Sequence, residues 1–228
     1  MQPELVIFDC DGVLVDSEII AARVEADLIT EAGFPIEAGE LAERYAGLTF
    51  HDILLKLEEE AQIPFQASLI EKAEKAVDKA LARQVQAIEG AIEAVARTRH
   101  PRCICSNSTA KRLDAMLTRT GLKPGFPDTV FSALDTPSRL PKPAPDVFLH
   151  AAERMNADPA ATFVIEDSEH GIAGARAAGM RVIGFTGGKH SYPGHADRLT
   201  EAGAETVISR WADFHPVLAA LAEWSETI

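Results

Sequence analysis

Five short apolar runs recur along the chain, at residues 5–8, 102–106, 129–132, 162–165 and 181–185. Runs of this length flanked by turn residues predict strands. Most are separated by segments with apolar positions at helical spacing, at 109–120, 145–155 and 170–178. Strands alternating with helices predict an α/β fold, a doubly wound parallel sheet with right-handed crossovers. Such sheets bind ligands beyond the carboxyl ends of their strands. Asp9, Ser106 and Asp167 all fall at such ends.

About 90 residues separate the first two runs, where a crossover needs only a dozen or more. The segment is rich in Ala, Glu, Lys and Leu and predicts helices at 17–31, 41–45, 51–61 and 68–86. Gly33 and Pro35 end the first, Gly47 and Thr49 supply a break and an N-cap, and Pro64 separates the last two. The expected organisation is an α/β core of residues 1–15 and 88–228 with an inserted helical cap at 16–87. Hinges are expected near Val15 to Asp16 and near Ala87 to Gly90.

With 228 residues and 46% hydrophobic content the chain has the material for a sizeable core. Its formal charge of −13 argues against a nucleic-acid backbone or an anionic membrane as partner, since both are polyanions. No apolar run approaches the roughly 20 residues of a membrane span, and no basic segment precedes an apolar stretch at the start. The expectation is a soluble, cytoplasmic protein, monomer or homodimer. Cys10, Cys103 and Cys105 are odd in number and lie in or beside apolar runs, which predicts free buried thiols. A soft-metal site at Cys103 and Cys105 has no His or Cys nearby to complete it.

Candidate chemistry starts at Asp9-Cys10-Asp11-Gly12, where an apolar run opens into a loop. Two charges about 4 Å apart repel by roughly 4 kcal/mol at an effective dielectric near 20, so such a pair recruits a cation or shares a proton. Glu166-Asp167 ends another run. Four carboxylates at two strand ends point to a hard divalent ion, and Mg2+ fits. Phosphoryl transfer needs an in-line nucleophile, positive charge on the equatorial oxygens and a proton for the leaving alkoxide. Asp9 is the nucleophile candidate and Asp11 the proton carrier, with Gly12 permitting a sharp turn.

Ser106-Asn107-Ser108 ends a run and precedes a helix, which makes either an anion site or, with Asn107 or Ser108, a helix cap. Lys142 lies in Pro141-Lys142-Pro143-Ala144-Pro145-Asp146, a stiffened loop around one cation or an ordinary solvated one. Glu166-Asp167 alone also reads as an acidic helix start. Residues 190–195, with two His, read as a polar loop rather than a zinc site, because they lack a carboxylate or Cys at ligand spacing. Trp211 and Trp224 are expected to pack the C-terminal helix.

The order of these elements resembles the haloacid dehalogenase-like phosphohydrolase superfamily: DCDGV, a strand ending in Ser106, KPAPD at Lys142, then IEDSEHG from Glu166 to Gly171. The place of the insertion is similar to the cap of the β-phosphoglucomutase and phosphoglycolate phosphatase branch. The resemblance implies that Asp9 forms an aspartyl phosphate and that Asp11 acts as general acid and then base. It assigns Ser106 and Lys142 to the transferring group, with Asn107 and backbone N–H groups after Asp9, that of Cys10 among them. Mg2+ would be held by Asp9, the Asp11 carbonyl and Asp167, with Glu166 beside them.

Asp11 separates this chain from the superfamily's dehalogenases, which lack a second aspartate because halide needs no protonation. The implied function is a Mg2+-dependent phosphatase of small phosphorylated metabolites. FDCDGVLVDSE resembles bacterial phosphatases acting on 6-phosphogluconate and related sugar-acid phosphates. The alternatives are a β-phosphoglucomutase-like phosphomutase and a non-catalytic phospho-ligand binder. In β-phosphoglucomutases a His in the first cap helix gates the acid/base and an early cap Arg reads the distal phosphate; here those places are taken by Ala21 and Phe50. Possible substrate contacts in the cap are Glu18, Arg44, Thr49, His51, Lys75, Lys79 and Arg83, each also readable as a solvated helix face.

Overall fold

The computed structural model describes residues 2–45, 50–61 and 68–224. In chain order the elements are β1 (Leu5–Phe8), α1 (Glu18–Glu31), α2 (Ala38–Arg44), α3 (Phe50–Ala61), α4 (Ser68–Gln84), α5 (Ala91–Arg97), β2 (Arg102–Ser106) and α6 (Ala110–Thr120). There follow β3 (Val130–Ser132), α7 (Asp146–Met155), β4 (Thr162–Glu166), α8 (Glu169–Ala177), β5 (Arg181–Phe185), α9 (His195–Glu201), β6 (Thr206–Ile208) and α10 (Phe214–Trp224). Among the described residues the strands form a six-stranded sheet in the order β3-β2-β1-β4-β5-β6, with every pairing parallel. The order reverses direction between β1 and β4, which places the two strands that end in acidic pairs side by side at the switch point.

The chain divides into two compact units, Met1–Asp16 with Gln86–Ile228, and Ser17–Val85. In the first, alternate strand residues face opposite sides of the sheet. Leu5, Ile7, Cys103, Cys105, Val164 and Val182 join Val147, Phe148 and Ala151 of α7 and Ile172 and Ala175 of α8 in one buried cluster. Phe8 instead meets Phe126, Trp211 and Phe214, with ring centroids 5.7–5.8 Å apart. Strands covered on both faces read as unbroken apolar runs, which is why β1 and β4 carry no polar alternation. The two chain crossings between the units are tied together on the sheet side: Asp16 N–H donates to Gln86 O and Ile88 N–H to Leu14 O, each at 3.0 Å.

The second unit is helical. α4 places Leu69, Ala73, Val77 and Leu81 four residues apart, so one stripe is buried. Leu69 and Ala73 pack with Leu28, Ile29, Leu41, Ile53 and Leu57. Its charged residues lie outside that core: Arg44 pairs with Glu40 and Glu60, Lys72 with Glu31, and Lys75 with Glu71.

Several expectations shift. β6 and α5 were absent from the strand and helix pattern; β6 exists by pairing Thr206 to Ile183 on β5. Neither Asn107 nor Ser108 caps α6, because Thr109 does so by accepting from Arg112 N–H. All three cysteines are free and buried, and burial pushes the Cys10 and Cys103 thiols up, away from the thiolate a metal would need. Trp211 packs between Phe8, Phe185 and Phe214. Gly47, Thr49 and Pro64 lie outside the described residues, as does the side chain of Trp224. No helix among the described residues is long and apolar enough to cross a membrane.

Candidate active site

β1 ends at Phe8, and Asp9 N–H still donates to Ile165 O of β4 at 3.0 Å, so the Asp9 backbone is held by the sheet. Beyond it the chain folds back on itself: Leu14 and Val15 N–H both donate to Cys10 O, and Gly12 N–H donates to Val15 O. That tight loop fixes Asp11 two residues beyond Asp9, on the same end of the sheet. Cys10 has no exposed side chain, so any ligand contact it makes is through its backbone.

Lys142 is buried, contrary to a solvated-loop reading. Its Nζ donates to Asp9 Oδ1 at 2.5 Å and to Glu166 Oε2 at 2.8 Å. The other Glu166 oxygen, Oε1, accepts from Asp167 N–H, Ser168 N–H and the Ser168 hydroxyl. The same Ser168 hydroxyl oxygen accepts from Gly171 N–H and caps α8. Glu166 is therefore fully engaged and serves as the anchor of the lysine. Burial works against the Lys142 charge, yet Asp9 and Glu166 outweigh it and hold the ammonium above the ordinary lysine range.

Asp11 Oδ2 accepts from the Ser106 hydroxyl at 3.1 Å and from the Ser108 hydroxyl at 2.9 Å. Ser106 Oγ in turn accepts from Ser108 N–H. Asn107 turns the other way: its Oδ1 accepts from Lys142 N–H at 2.8 Å, and its amide donates to Lys142 O at 3.4 Å. The Ser-Asn-Ser segment thus braces both the second aspartate and the lysine loop. The sequence singled out Ser106 and Asn107; Ser108 entered it only as a possible cap.

Asp9, Glu166 and Asp167 are buried, and each offers a ligand oxygen within 4.8 Å of the others, the one such group among the described residues. Burial, with the neighbouring carboxylates adding to it, pushes Asp9 and Asp167 well above the usual carboxylate range despite Lys142. Asp9 and Glu166 contact the one ammonium, Asp167 and Asp11 crowd Asp9 from beside them, and all the donors are oxygens. This set fits a hard cation, with Asp9 and Asp167 as the side chains that have ligand capacity to spare.

The segment expected to be a polar loop is drawn inward. His195 Nε2 lies 2.8 Å from Asp167 O, and His190 Nε2 lies 2.8 Å from Asp167 Oδ2. Glu18, Lys79 and Arg83 of the helical unit are exposed. Arg44, His51 and Lys75 have acidic partners within that unit.

The chain matches known proteins over most of its length. Residues 6–185 match the haloacid dehalogenase-like hydrolases. Over 191 residues, 83% of this chain and 86% of the relative, it is 30% identical to the 6-phosphogluconate phosphatase of Escherichia coli. A crystal structure of a conserved haloacid dehalogenase-like protein of unknown function from Agrobacterium tumefaciens has a TM-score of 0.91 at 59% identity, covering 96% of this chain and 99% of that one. A HAD family hydrolase from Deinococcus radiodurans, crystallised with bound phosphate and sodium, has a TM-score of 0.81 at 32% identity, covering 96% and 95% of the two chains. With its carboxylate pair, lysine and acidic strand end set at neighbouring strands of one parallel sheet, the chain belongs to the haloacid dehalogenase-like hydrolase family.

Proposed function

We propose that this hydrolase is a Mg2+-dependent phosphatase of small phosphorylated metabolites, with sugar and sugar-acid phosphates as the substrate class. The observation that carries the reading is Asp9 oriented by Lys142 beside a second carboxylate, Asp11, held by two hydroxyls. The substrate class is supported by the similarity to the E. coli 6-phosphogluconate phosphatase.

In this reading Asp9 attacks phosphorus and the P–O bond to the alcohol breaks, leaving the phosphoryl group on the Asp9 carboxylate. Asp11 gives a proton to the departing alkoxide and later takes one from the water that attacks the aspartyl phosphate. Ser106, Asn107, the Cys10 N–H and Lys142 hold the equatorial oxygens. Asp9, the Asp11 carbonyl and Asp167 would hold Mg2+, which supplies positive charge against the phosphoryl oxygens and the crowded carboxylates. The helical unit would act as a cap that reads the rest of the substrate, with Thr49 among its contacts.

The test is phosphate release from a panel of sugar, sugar-acid and two-carbon phosphates with and without Mg2+, with the organic products identified. Mg2+-dependent release with a preference for sugar or sugar-acid phosphates is expected. Rearranged sugar phosphate without release would replace the reading by a phosphomutase, against which Ala21 and Phe50 already weigh.

A further inference from the structure

The segment from Gly187 to His195 converges on a single residue of the metal-binding group. His195 reaches the Asp167 backbone and His190 its carboxylate. A carbonyl and a carboxylate only accept, so each Nε2 carries the hydrogen. With Nε2 carrying the hydrogen, His195 Nδ1 is the acceptor for the Ser191 hydroxyl at 3.2 Å. The segment is pinned ahead of His190 as well, where Lys189 N–H donates to Asp16 Oδ1 at 2.9 Å.

The seat of the His190 ring is cleared by two glycines. A Cβ on Gly12 would come within 2.0 Å of Asp167 Oδ2 and 2.7 Å of His190 Cε1. One on Gly188 would lie 2.6 Å from the same ring carbon. The loop after Asp11 and the loop after β5 therefore both omit a side chain where the imidazole meets the carboxylate. A surface histidine would need no such clearance.

We infer that His190 is a positioning residue that fixes the Asp167 carboxylate for the metal, with its Nε2–H on Oδ2 leaving Oδ1 for the ion. Asp167 is buried with Asp9 and Glu166, each offering an oxygen within 4.8 Å of the others, so like charges crowd it. Left unheld, its carboxylate gains by turning away from them, which removes a ligand. The imidazole N–H holds one oxygen in place and needs no net charge of its own to do so. This inference rests on the reading of Asp167 as a metal ligand. A donor behind a metal ligand typically changes metal affinity by about 10–100-fold when removed.

The test measures Mn2+ binding, by electron paramagnetic resonance of the free ion, and Mg2+ binding by calorimetry. The proteins compared are the wild type, Asp167→Asn, His190→Leu and His190→Gln. Leu fills the space without a donor, while Gln places an amide N–H at the reach of Nε2. Expected is a loss of about 10-fold or more in both affinities for Leu, with Gln within about 3-fold of the wild type. Wild-type affinity in the Leu variant, or equal losses in Leu and Gln, overturns the positioning role. Wild-type affinity in Asp167→Asn instead overturns the ligand reading on which it rests. Should the Leu variant not fold, the wild type decides: the His190 ring N–H resonance, assigned by its loss in the Gln variant, should persist and shift as Mg2+ is added. No response of that resonance to saturating Mg2+ counts against the inference.

Discussion

Charged side chains play opposite parts in the two units. In the helical unit Lys75 and Glu71 remain 75% and 69% exposed in their ion pair, and Arg44 with Glu60 41% and 45%. In the sheet unit the Lys142, Asp9 and Glu166 side chains are 4%, 7% and 2% exposed. Exposed pairs contribute little to stability because water and salt screen them. Buried ions lose hydration that pairing only partly restores, so a fold has no stability reason to bury two carboxylates on one lysine with a third, Asp167, beside them. The contrast separates charge placed for solubility from charge placed for chemistry.

Substitutions that break the buried side should have the largest effects. Asp9→Asn removes the proposed nucleophile and should lower phosphate release by about 10^3-fold or more with an unchanged circular dichroism spectrum; release near the wild-type rate would sink the assignment. Asp11→Asn should slow alkoxide leaving groups by roughly 10^2–10^4-fold and p-nitrophenyl phosphate distinctly less. Equal losses on both would remove the proton-transfer role. Lys142→Met leaves Asp9 and Glu166 buried without their cation, a change of about 3–5 kcal/mol, so a drop in melting temperature on the order of 10 °C is expected.

A subtler effect should run the other way. Asp167 titrates above its ordinary range in the fold because of burial and then Glu166, so the native state binds its proton more tightly than the unfolded chain does. Stability linked to this group then falls as pH rises from about 4 towards the raised native value. Without metal, Asp167→Asn should melt a few degrees above the wild type, and by more at pH 8 than at pH 5; an Asn variant that melts lower at both would refute the crowding argument. Smallest of all, Lys75→Ala in the helical unit should leave the melting temperature unchanged within error, and a clear drop would erase the contrast itself.

Much of this was legible because the signals are local. The apolar run at 5–8 can end only where Asp9 begins, and β1 does. The order of strand ends and loops groups Asp9, Ser106, Lys142 and Glu166; in space the parallel pairing of β1 with β2 and β4 gathers the strand ends, and Asn107 holds the Lys142 loop against them. What was missed depends on partners distant in the chain. Thr206–Ile208 is three residues long and becomes a strand only against β5. His190 looked like part of a polar turn because nothing near it in sequence needs a donor. Gly187-Gly188 directly after a strand was the available clue, since paired glycines there mark close approach of another chain segment as well as a turn. Ser108 was hidden behind the prior that a serine ahead of a helix caps it, when Thr109 takes that role.

The Ser106 hydroxyl has one hydrogen, and it is given to Asp11. An anion that claims this hydrogen does so by exchange, displacing a competitor built into the chain and present at unlimited local concentration. Inorganic phosphate, which brings no organic group to be gripped elsewhere, would receive the least compensation for that exchange. In the proposed phosphatase reading the resting bond would lower the affinity for product, and would favour an enzyme that keeps turning over while free phosphate accumulates around it.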